Sequence, residues 1–513
     1  MNKFKISNLR DLVFALMIFL WIGVSVVTVF AQKSGKSPRS VKPEASPSPT
    51  PVRPREIVTL LNEARVAAPE LAVDAFLRVL EAKKITDPVW RKDVIDETQR
   101  MIADVQHEMP MRLAFGMPNE LNDTEAYLRA AVSRHKLDRL SFQSRLILIV
   151  LDADSPRARQ MLFQMGGDLG LKPRTCEDVL TYVPDDMYAA VGKVVATSFT
   201  QREIAEGQRA LFLLPWIENI ESPTQIRPVL SMVKALQGVS AERQLLFNAI
   251  SRSIDRNFKD DRSFTNSLKW DDLAARINGL VLANAEASNA GLVAAYRSTL
   301  LKNLRSGRCA DNAVEKDQEL PDYLEAANKI FVDKPLTMDD ITTSEVIGAA
   351  KPEHFYEKSS VARSVREEGR IAMGLKVVDN KIVKHDQNDV EWISRVNGFV
   401  DKMLALEGSN GETETELLMF KNAFLSALLQ QALEPGDLRR TIFRRYLQLI
   451  VRSSLQKTDF AQWLFWVRGA EAISPDDFAA IAPEIPNQNI RVLLAMKKLG
   501  ITDNKTSSEQ TAK

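Results

Sequence analysis

The stretch that decides the fold is SRLILIVLDADSPRARQMLFQM, residues Ser144–Met165. Residues 144–151 are apolar on every side after Arg145, which predicts a buried helix or, as the alternative, a central strand. Ser155 and Pro156 follow, and these residue types are favoured at the N-cap and the first position of a helix. The stretch therefore predicts a buried element that is followed at once by a new helix.

The same pattern extends outward along the chain. Residues Pro69–Lys84 place Leu71, Ala75, Leu77, Val79 and Leu80 on one apolar stripe, with charged residues opposite. Asp87 and Pro88 have the residue types of another helix start. Breaks fall roughly every 15–22 residues, the spacing of helices joined by short loops. No strict repeat consensus is present.

These features predict an all-α fold, an irregular α-solenoid-like stack of antiparallel helix hairpins, with a compact multi-helix bundle as the alternative. Residues near 305–400 differ, because they are polar and we expect them to be rich in loops. Within them, LKVVDNKIVKH (residues Leu375–His385) is typical of a short β-hairpin that turns at Asp379 and Asn380.

The N-terminal segment decides the compartment. Residues Leu12–Ala31 form a run of 20 residues without a charge, and a helix of about 20 residues spans the apolar core of a bilayer. Small side chains before Gln32 instead favour signal-peptide cleavage between Ala31 and Gln32. A signal peptide and a retained transmembrane helix that acts as a membrane anchor both remain open. Either one predicts an exported, periplasmic body or a body held outside the cytoplasmic membrane. Basic residues just after the run, such as Lys33 and Lys36, favour the opposite orientation and leave a cytoplasmic body as a further alternative.

Residues 33–54 contain six Pro and five Ser and almost no apolar side chain, a composition typical of a disordered, extended linker. The chain is thereby divided into a signal peptide or anchor (1–31), a Pro/Ser-rich linker (32–54), an N-terminal helical-repeat domain (55–304), a loop-rich linking segment (305–400), a C-terminal helical domain (401–500) and a disordered tail (501–513).

The distribution of charge excludes one class of partner. The formal net charge is +1, but from residue 55 onward there are 60 basic and 65 acidic residues. Nucleic acids attract proteins with basic surfaces. We therefore expect no nucleic-acid partner.

Three segments resemble parts of exported, mostly helical bacterial proteins that carry no assigned activity: CEDVLTYVPDDMY, SPRARQMLFQM and GRCADNAV. The resemblance covers most of residues 55–400. It implies export and a helical fold, and it implies no catalytic residue.

The two cysteines, Cys176 and Cys309, both follow basic, loop-like residues. In an oxidising compartment two lone cysteines often pair, so we expect either a disulfide or two unrelated thiols. The loop between them would hold about 133 residues, for which chain entropy gives up to about 5 kcal/mol.

No motif for catalysis, a cofactor or a metal stands out in the sequence. The four histidines are far apart, GxSxG is absent, and the Ser-x-x-Lys matches lack the other elements of penicillin-binding folds. Arginines 439, 440, 444 and 445 gather on one predicted helix and form either a contact for an anionic partner or a solvated basic face. We expect no cofactor and no metal.

These observations favour a non-enzymatic, exported or membrane-tethered scaffold that binds a partner protein in the bacterial envelope. The alternatives are a hydrolase of envelope polymers, with carboxylates assembled from distant segments, and a purely structural envelope protein.

Overall fold

The apolar stretch around Arg145 is helical in the computed structural model of the chain, where residues Arg139–Leu151 form one buried helix. Asp138 caps this helix by accepting a hydrogen bond from the backbone N–H of Ser141, at 3.0 Å. The prediction of a buried helix is confirmed, and the strand alternative is wrong. The structure describes residues 53–105, 109–110, 136–171, 180–181, 184–222, 225–236, 240–256, 270–282, 289–303, 313–341, 360, 363–364, 368–369, 376–378, 381–383, 389–407, 421, 425, 428–429, 437–452, 475–484 and 487–501.

Helices dominate these residues, and the all-α prediction is confirmed. The helices are α1 (Arg55–Ala64), α2 (Pro69–Glu81), α3 (Pro88–Ile102), α4 (Arg139–Leu151), α5 (Ser155–Met165), α6 (Asp185–Ser198), α7 (Gln201–Ala205), α8 (Gln208–Glu218), α9 (Ile226–Lys234), α10 (Ser240–Ile254), α11 (Trp270–Leu282), α12 (Ala290–Asn303), α13 (Ala313–Asn328), α14 (Val390–Leu404), α15 (Asp437–Arg452), α16 (Pro475–Ile481) and α17 (Gln488–Lys498). Short 3₁₀ turns lie at Met338–Asp340 and Ala482–Glu484.

Two short antiparallel strand pairs accompany the helices. Strands β1 (Met109–Pro110) and β2 (Leu180–Thr181) pair with each other. Strands β3 (Lys376–Val378) and β4 (Lys381–Val383) pair in the register Val377 to Ile382. The strand pairing predicted for this segment is thereby confirmed, and the predicted turn at Asp379 and Asn380 lies outside the described residues.

The helix starts follow the local sequence closely. Asp87 accepts a hydrogen bond from the N–H of Val89 and begins α3, as expected. The start of α5 is displaced by one residue from its prediction, because Asp154 is the N-cap and Ser155 is already helical. An Asp side chain accepts the first-turn N–H groups as well as a Ser does, so either residue can take the position.

Two helices occupy parts of residues 305–400, where the sequence predicts loops: α13 and the first part of α14, from Val390 onward. Residues Ala313–Asn328 form α13, with Pro321 inside the helix. Leu320, Leu324 and Ala327 are buried at helical spacing, and α13 packs on α11. Burial of this stripe stabilises a helix that the polar composition and the proline argue against.

Alternate helices pack on one another in two rows. In the first row α2, α4, α6, α9, α11 and α13 each contact the next, and in the second row α8, α10 and α12 do so. Apart from the contact of α6 with α9, which are three positions apart, these contacts join each helix to the one two positions along, as expected of stacked helix pairs. The solenoid-like description stays a prediction, and so does the division at residues 304 and 400. The described residues belong to one compact unit, residues 53–513.

The last helix returns to the first two. Helix α17 packs on α1 and α2. Asn489 accepts a hydrogen bond from the backbone N–H of Ala68 at 3.0 Å, and Gln488 donates one to the carbonyl of Glu63 at 2.9 Å. The two ends of the described chain therefore stabilise each other.

Charged residues of α2 that the sequence places opposite the apolar stripe are buried. Asp74 is 1% exposed and bonds both Arg78, at 2.7 Å, and Arg145 of α4, at 2.8 Å. Arg145 also makes two bonds to Glu81, at 2.7 and 2.9 Å, and Arg78 donates to the carbonyl of Ile501 at 3.4 Å. We call Asp74, Arg78, Arg145 and Glu81 the charge cluster; it joins α2, α4 and the segment that follows α17.

No helix in the part of the chain that the structure describes combines the length and the apolar character needed to cross a bilayer. The expectations for residues 1–31 and 32–52, and for the tail after residue 501, concern residues outside the described part. They stay predictions.

We predict that Asp74→Asn destabilises the protein strongly, by about 3–5 kcal/mol, because it leaves two buried guanidinium groups without their shared carboxylate. The midpoint of thermal unfolding, followed by circular dichroism, measures the effect. Glu56→Gln is the control, since it removes a negative charge from an exposed position on α1. Equal midpoints for the two variants would contradict the role of the cluster.

The effect of Asp74→Asn also depends on pH. Burial alone would raise the pKa of Asp74, but the charges of Arg78 and Arg145 outweigh burial and lower it from its ordinary value of 3.8. A lowered pKa stabilises the folded state above pH 3.8, and this stabilisation is lost as the pH falls through the folded value. The difference between wild type and variant should therefore shrink in acid.

We predict that Asn489→Ala lowers the thermal midpoint, because a part-buried N–H of Ala68 loses its acceptor at a cost of about 1–3 kcal/mol. Lys498→Ala on the same helix is the control, since Lys498 is exposed and takes no part in the bonds to Glu63 and Ala68. If Lys498→Ala costs as much, the contact between the two ends adds nothing specific.

Candidate functional site

Helix α5 buries few of its residues, although it lies beside the buried helix α4. Only Ala158 and Leu162 of its residues are buried. They are four positions apart and therefore lie on one narrow face, while α5 packs on α4 and α6. The other faces of α5 remain available, and a groove lies on each side of it.

The first groove lies between α3 and α5, has a volume of about 590 Å³, and is here called the basic groove. Its cationic lining residues are Arg91, Lys92 and Arg157, and its one lining carboxylate is Asp154. Ile95 and Val150 are among its apolar lining residues.

The second groove lies between α5 and the pair α7 and α8, has a volume of about 490 Å³, and is here called the aromatic groove. Phe163 of α5 and Leu211 of α8 line it and are 73% and 59% exposed. Phe199 and Phe212 line it too and meet edge to face, with ring centroids 5.6 Å apart. Both grooves share Pro156 and Gln160 as lining residues, so they adjoin across α5.

The polar end of the aromatic groove is a fixed ion pair. Arg159 donates to Glu203 at 2.8 Å and its guanidinium lies 4.7 Å from the ring centre of Phe199. The backbone N–H of Thr200, the Thr200 hydroxyl and Arg159 all bond Glu203, and together they lower its pKa to about 2. At neutral pH Glu203 is therefore an ionised structural partner and a poor proton donor.

Two glycines hold the end of α5 against α8. Gly166 and Gly167 both have positive φ, at 63° and 75°. A Cβ on Gly167 would lie 2.6 Å from the carbonyl carbon of Pro215 in α8, whereas a Cβ on Gly166 would meet nothing within 4 Å. The sequence MGGDLG, which lacks the spacing of a phosphate-binding loop, thus permits a close backbone approach between the end of α5 and α8.

Carboxylates do not converge in these grooves. Among the described residues that line them, the basic groove has Asp154 and the aromatic groove has Glu203. Asp154 accepts the N–H of Arg157 as the cap of α5, at 3.0 Å. No group of three or more His, Cys, Asp or Glu side chains within the described ranges is arranged to hold a metal ion.

The arginines singled out in the sequence lie on α15, where three of them join neighbouring elements. Arg440 bonds Asp477 of α16 at 3.0 Å, Arg444 bonds Glu484 at 2.7 Å, and Arg445 bonds Asp401 of α14 at 2.6 Å. These contacts give the three side chains a structural role, and contact with an anionic partner stays a prediction for them and for Arg439.

The other predicted site residues lie outside the described residues: Cys176, Cys309, Ala31 and Gln32. Their pairing and cleavage stay predictions. The grooves on either side of α5 were missed by sequence reasoning, although one signal was present. Phe163 follows the buried Leu162 directly, and adjacent helix residues point about 100° apart, so the two cannot share one face.

No protein-family model matches the chain, and comparisons with curated proteins and with solved structures found no similar protein.

We predict that Gly167→Ala lowers the thermal midpoint more than Gly166→Ala. Both changes place a side chain at positive φ, which costs roughly 1–2 kcal/mol, but only the first forces α5 away from Pro215. Near-ultraviolet circular dichroism should also change more for Gly167→Ala, since Trp216 is next to the contact. Equal midpoints for the two variants would show that the close approach does not hold α5 in place.

Proposed function

We propose that this protein is a non-enzymatic helical scaffold, exported or membrane-tethered in the bacterial envelope, and that it binds a partner protein across the two grooves beside α5. The observation that carries the proposal is the pair of exposed apolar side chains, Phe163 and Leu211, on facing helices of one groove. Adjoining apolar side chains on a protein surface mark interaction sites when they line a groove with a polar rim.

The frame beneath the grooves favours binding without rearrangement. The charge cluster fixes α4 to α2, and Gly167 fixes the end of α5 to α8. A partner that docks on a frame fixed in this way loses little free energy to ordering it. The aromatic rings of Phe199 and Phe212 line the aromatic groove, and such rigid side chains lose little conformational entropy when a partner binds.

The envelope polymer hydrolase gains no support from these grooves. Such an enzyme needs two carboxylates that face a common substrate atom. The two lining carboxylates, Asp154 and Glu203, belong to different grooves, and each accepts a backbone N–H in a hydrogen bond that stabilises a helix start. A binding surface needs neither group to be free.

The place of action follows from the N-terminal sequence. The uncharged run of residues 12–31 and the Pro/Ser-rich residues 33–54 support delivery of the helical body to the far side of the cytoplasmic membrane, with or without cleavage after Ala31. In that compartment the envelope supplies the partner protein.

Site-specific photocrosslinking in cells that make the protein natively tests the proposal. A photoreactive phenylalanine analogue at position 211 should give a discrete heavier adduct, and Phe163→Asp in the same chain should abolish it. Phe163 is exposed, so the Asp variant should keep the thermal midpoint of wild type. The adduct should be digested when protease is added to spheroplasts, because the body lies outside the membrane.

Val332 is the matched control position, because it is 78% exposed and lines neither groove. The same analogue there should give no adduct. A smear of adducts at both positions, or none at position 211, would overturn the scaffold proposal. An adduct that protease on spheroplasts leaves intact would overturn the location.

A further inference from the structure

The basic groove has an excess of positive charge, while the body of the protein is acidic on average. From residue 55 onward acidic residues outnumber basic ones, 65 to 60. The groove nevertheless has three cationic lining residues, Arg91, Lys92 and Arg157, and the single carboxylate of Asp154. A local reversal of the average charge at a groove favours an anionic ligand there.

Two of the three cations are available to a ligand. Arg157 forms an ion pair with Asp96. Arg91 donates one of its N–H groups to the carbonyl of Leu80 at 3.1 Å, which orients the guanidinium and leaves other donors. Lys92 is exposed. Within the described part of the chain, neither Arg91 nor Lys92 forms an ion pair with a carboxylate.

The aromatic groove, which adjoins the basic groove, determines that the ligand must also have an apolar part. Phe163 and Leu211 lie in the aromatic groove, which shares Pro156 and Gln160 with the basic groove. A ligand that covers both grooves must place an apolar side chain against Phe163 and Leu211. It must also place a negative charge beside Arg91 and Lys92. A small anion would satisfy only the basic groove, and a purely apolar peptide would leave two cations desolvated without partners.

We infer that the occupant of the two grooves is an acidic peptide segment of another protein, with an aromatic or aliphatic anchor in the aromatic groove and carboxylates at Arg91 and Lys92. This inference rests on the proposed function and adds the chemistry of the partner to it. Arginine binds carboxylates through parallel N–H donors, and lysine adds a point charge that tolerates a range of positions. The pairing of ligand carboxylates with Arg91 and Lys92 favours acidic over basic partners, and it contributes more to this specificity than to affinity.

Selection of short random peptides displayed on phage, with the full chain as bait, tests the inference. Peptides enriched on wild type should combine Asp or Glu with Phe, Trp, Leu or Ile. Binding of the best synthetic peptide, followed by fluorescence anisotropy, should weaken at least about tenfold with Arg91→Glu plus Lys92→Glu, since each reversal replaces attraction by repulsion. The same double variant should gain affinity for a peptide in which Lys replaces each acidic residue.

Lys92→Glu alone serves as the second variant, because Lys92 is exposed and its replacement leaves the Arg91 bond to Leu80 intact. It should weaken acidic peptides less than the double change. The control is Lys329→Glu plus Lys334→Glu, which makes the same change in net charge at exposed positions that line neither groove. It should leave peptide affinity within about twofold of wild type.

Enriched peptides without an acidic bias, no enrichment at all, or equal weakening by the control variant would each overturn the inference. An adduct from position 211 combined with any of these results would leave the scaffold standing and remove only the acidic partner. An adduct of twice the mass of the chain would identify a second copy as the occupant and would equally overturn the inference. If no adduct forms at position 211, the scaffold proposal is overturned, and the inference that rests on it is overturned as well.

Discussion

The shared carboxylate of Asp74 is the interaction on which the rest of the described structure depends. A fully buried carboxylate is costly to desolvate, and it is retained because two guanidinium groups compensate it from different directions. Arg78 comes from the same helix, and Arg145 comes from α4, 71 residues along the chain. Arg78 also donates a hydrogen bond to the carbonyl of Ile501, so Asp74 is connected to α4 through Arg145 and to the last described residue through Arg78.

The two grooves result from the way in which α3, α4 and α5 pack on their neighbouring helices. Helix α4 is buried and rigidly bound to α2 through Arg145, and α3 is fixed to α2 by the bond from Arg91 to Leu80. Helix α5 then packs on α4 and α6 by a narrow face, with Ala158 and Leu162 as its buried residues. Because only a narrow face of α5 is buried, its exposed faces border one groove toward α3 and another toward α8. Gly167 permits the close approach of α5 to α8, which a larger residue would prevent.

Sequence reasoning predicted the elements that depend on local chemistry. The start of α3 at Asp87, the buried helix around Arg145 and the strand pair in residues 376–383 follow from neighbouring residue types, and the structure has them. It did not predict that Asp74 is buried, because one of the two partners that compensate this charge, Arg145, is far away in the chain. The contact of Asn489 with Ala68 spans 421 residues and leaves no local signal. The grooves follow from packing, which the periodicity of one helix does not report, although the exposed Phe163 could have been suspected from its position after Leu162.

Hydrogen–deuterium exchange of Asp74→Asn against wild type, followed by mass spectrometry of peptides, tests most directly whether this one carboxylate organises the frame. We predict faster exchange not only in α2 but also in α4, which Arg145 connects to Asp74, in α5, which packs on α4, and in α17, which precedes the Ile501 carbonyl that Arg78 bonds. Faster exchange confined to α2, with α5 and α17 unchanged, would contradict this prediction.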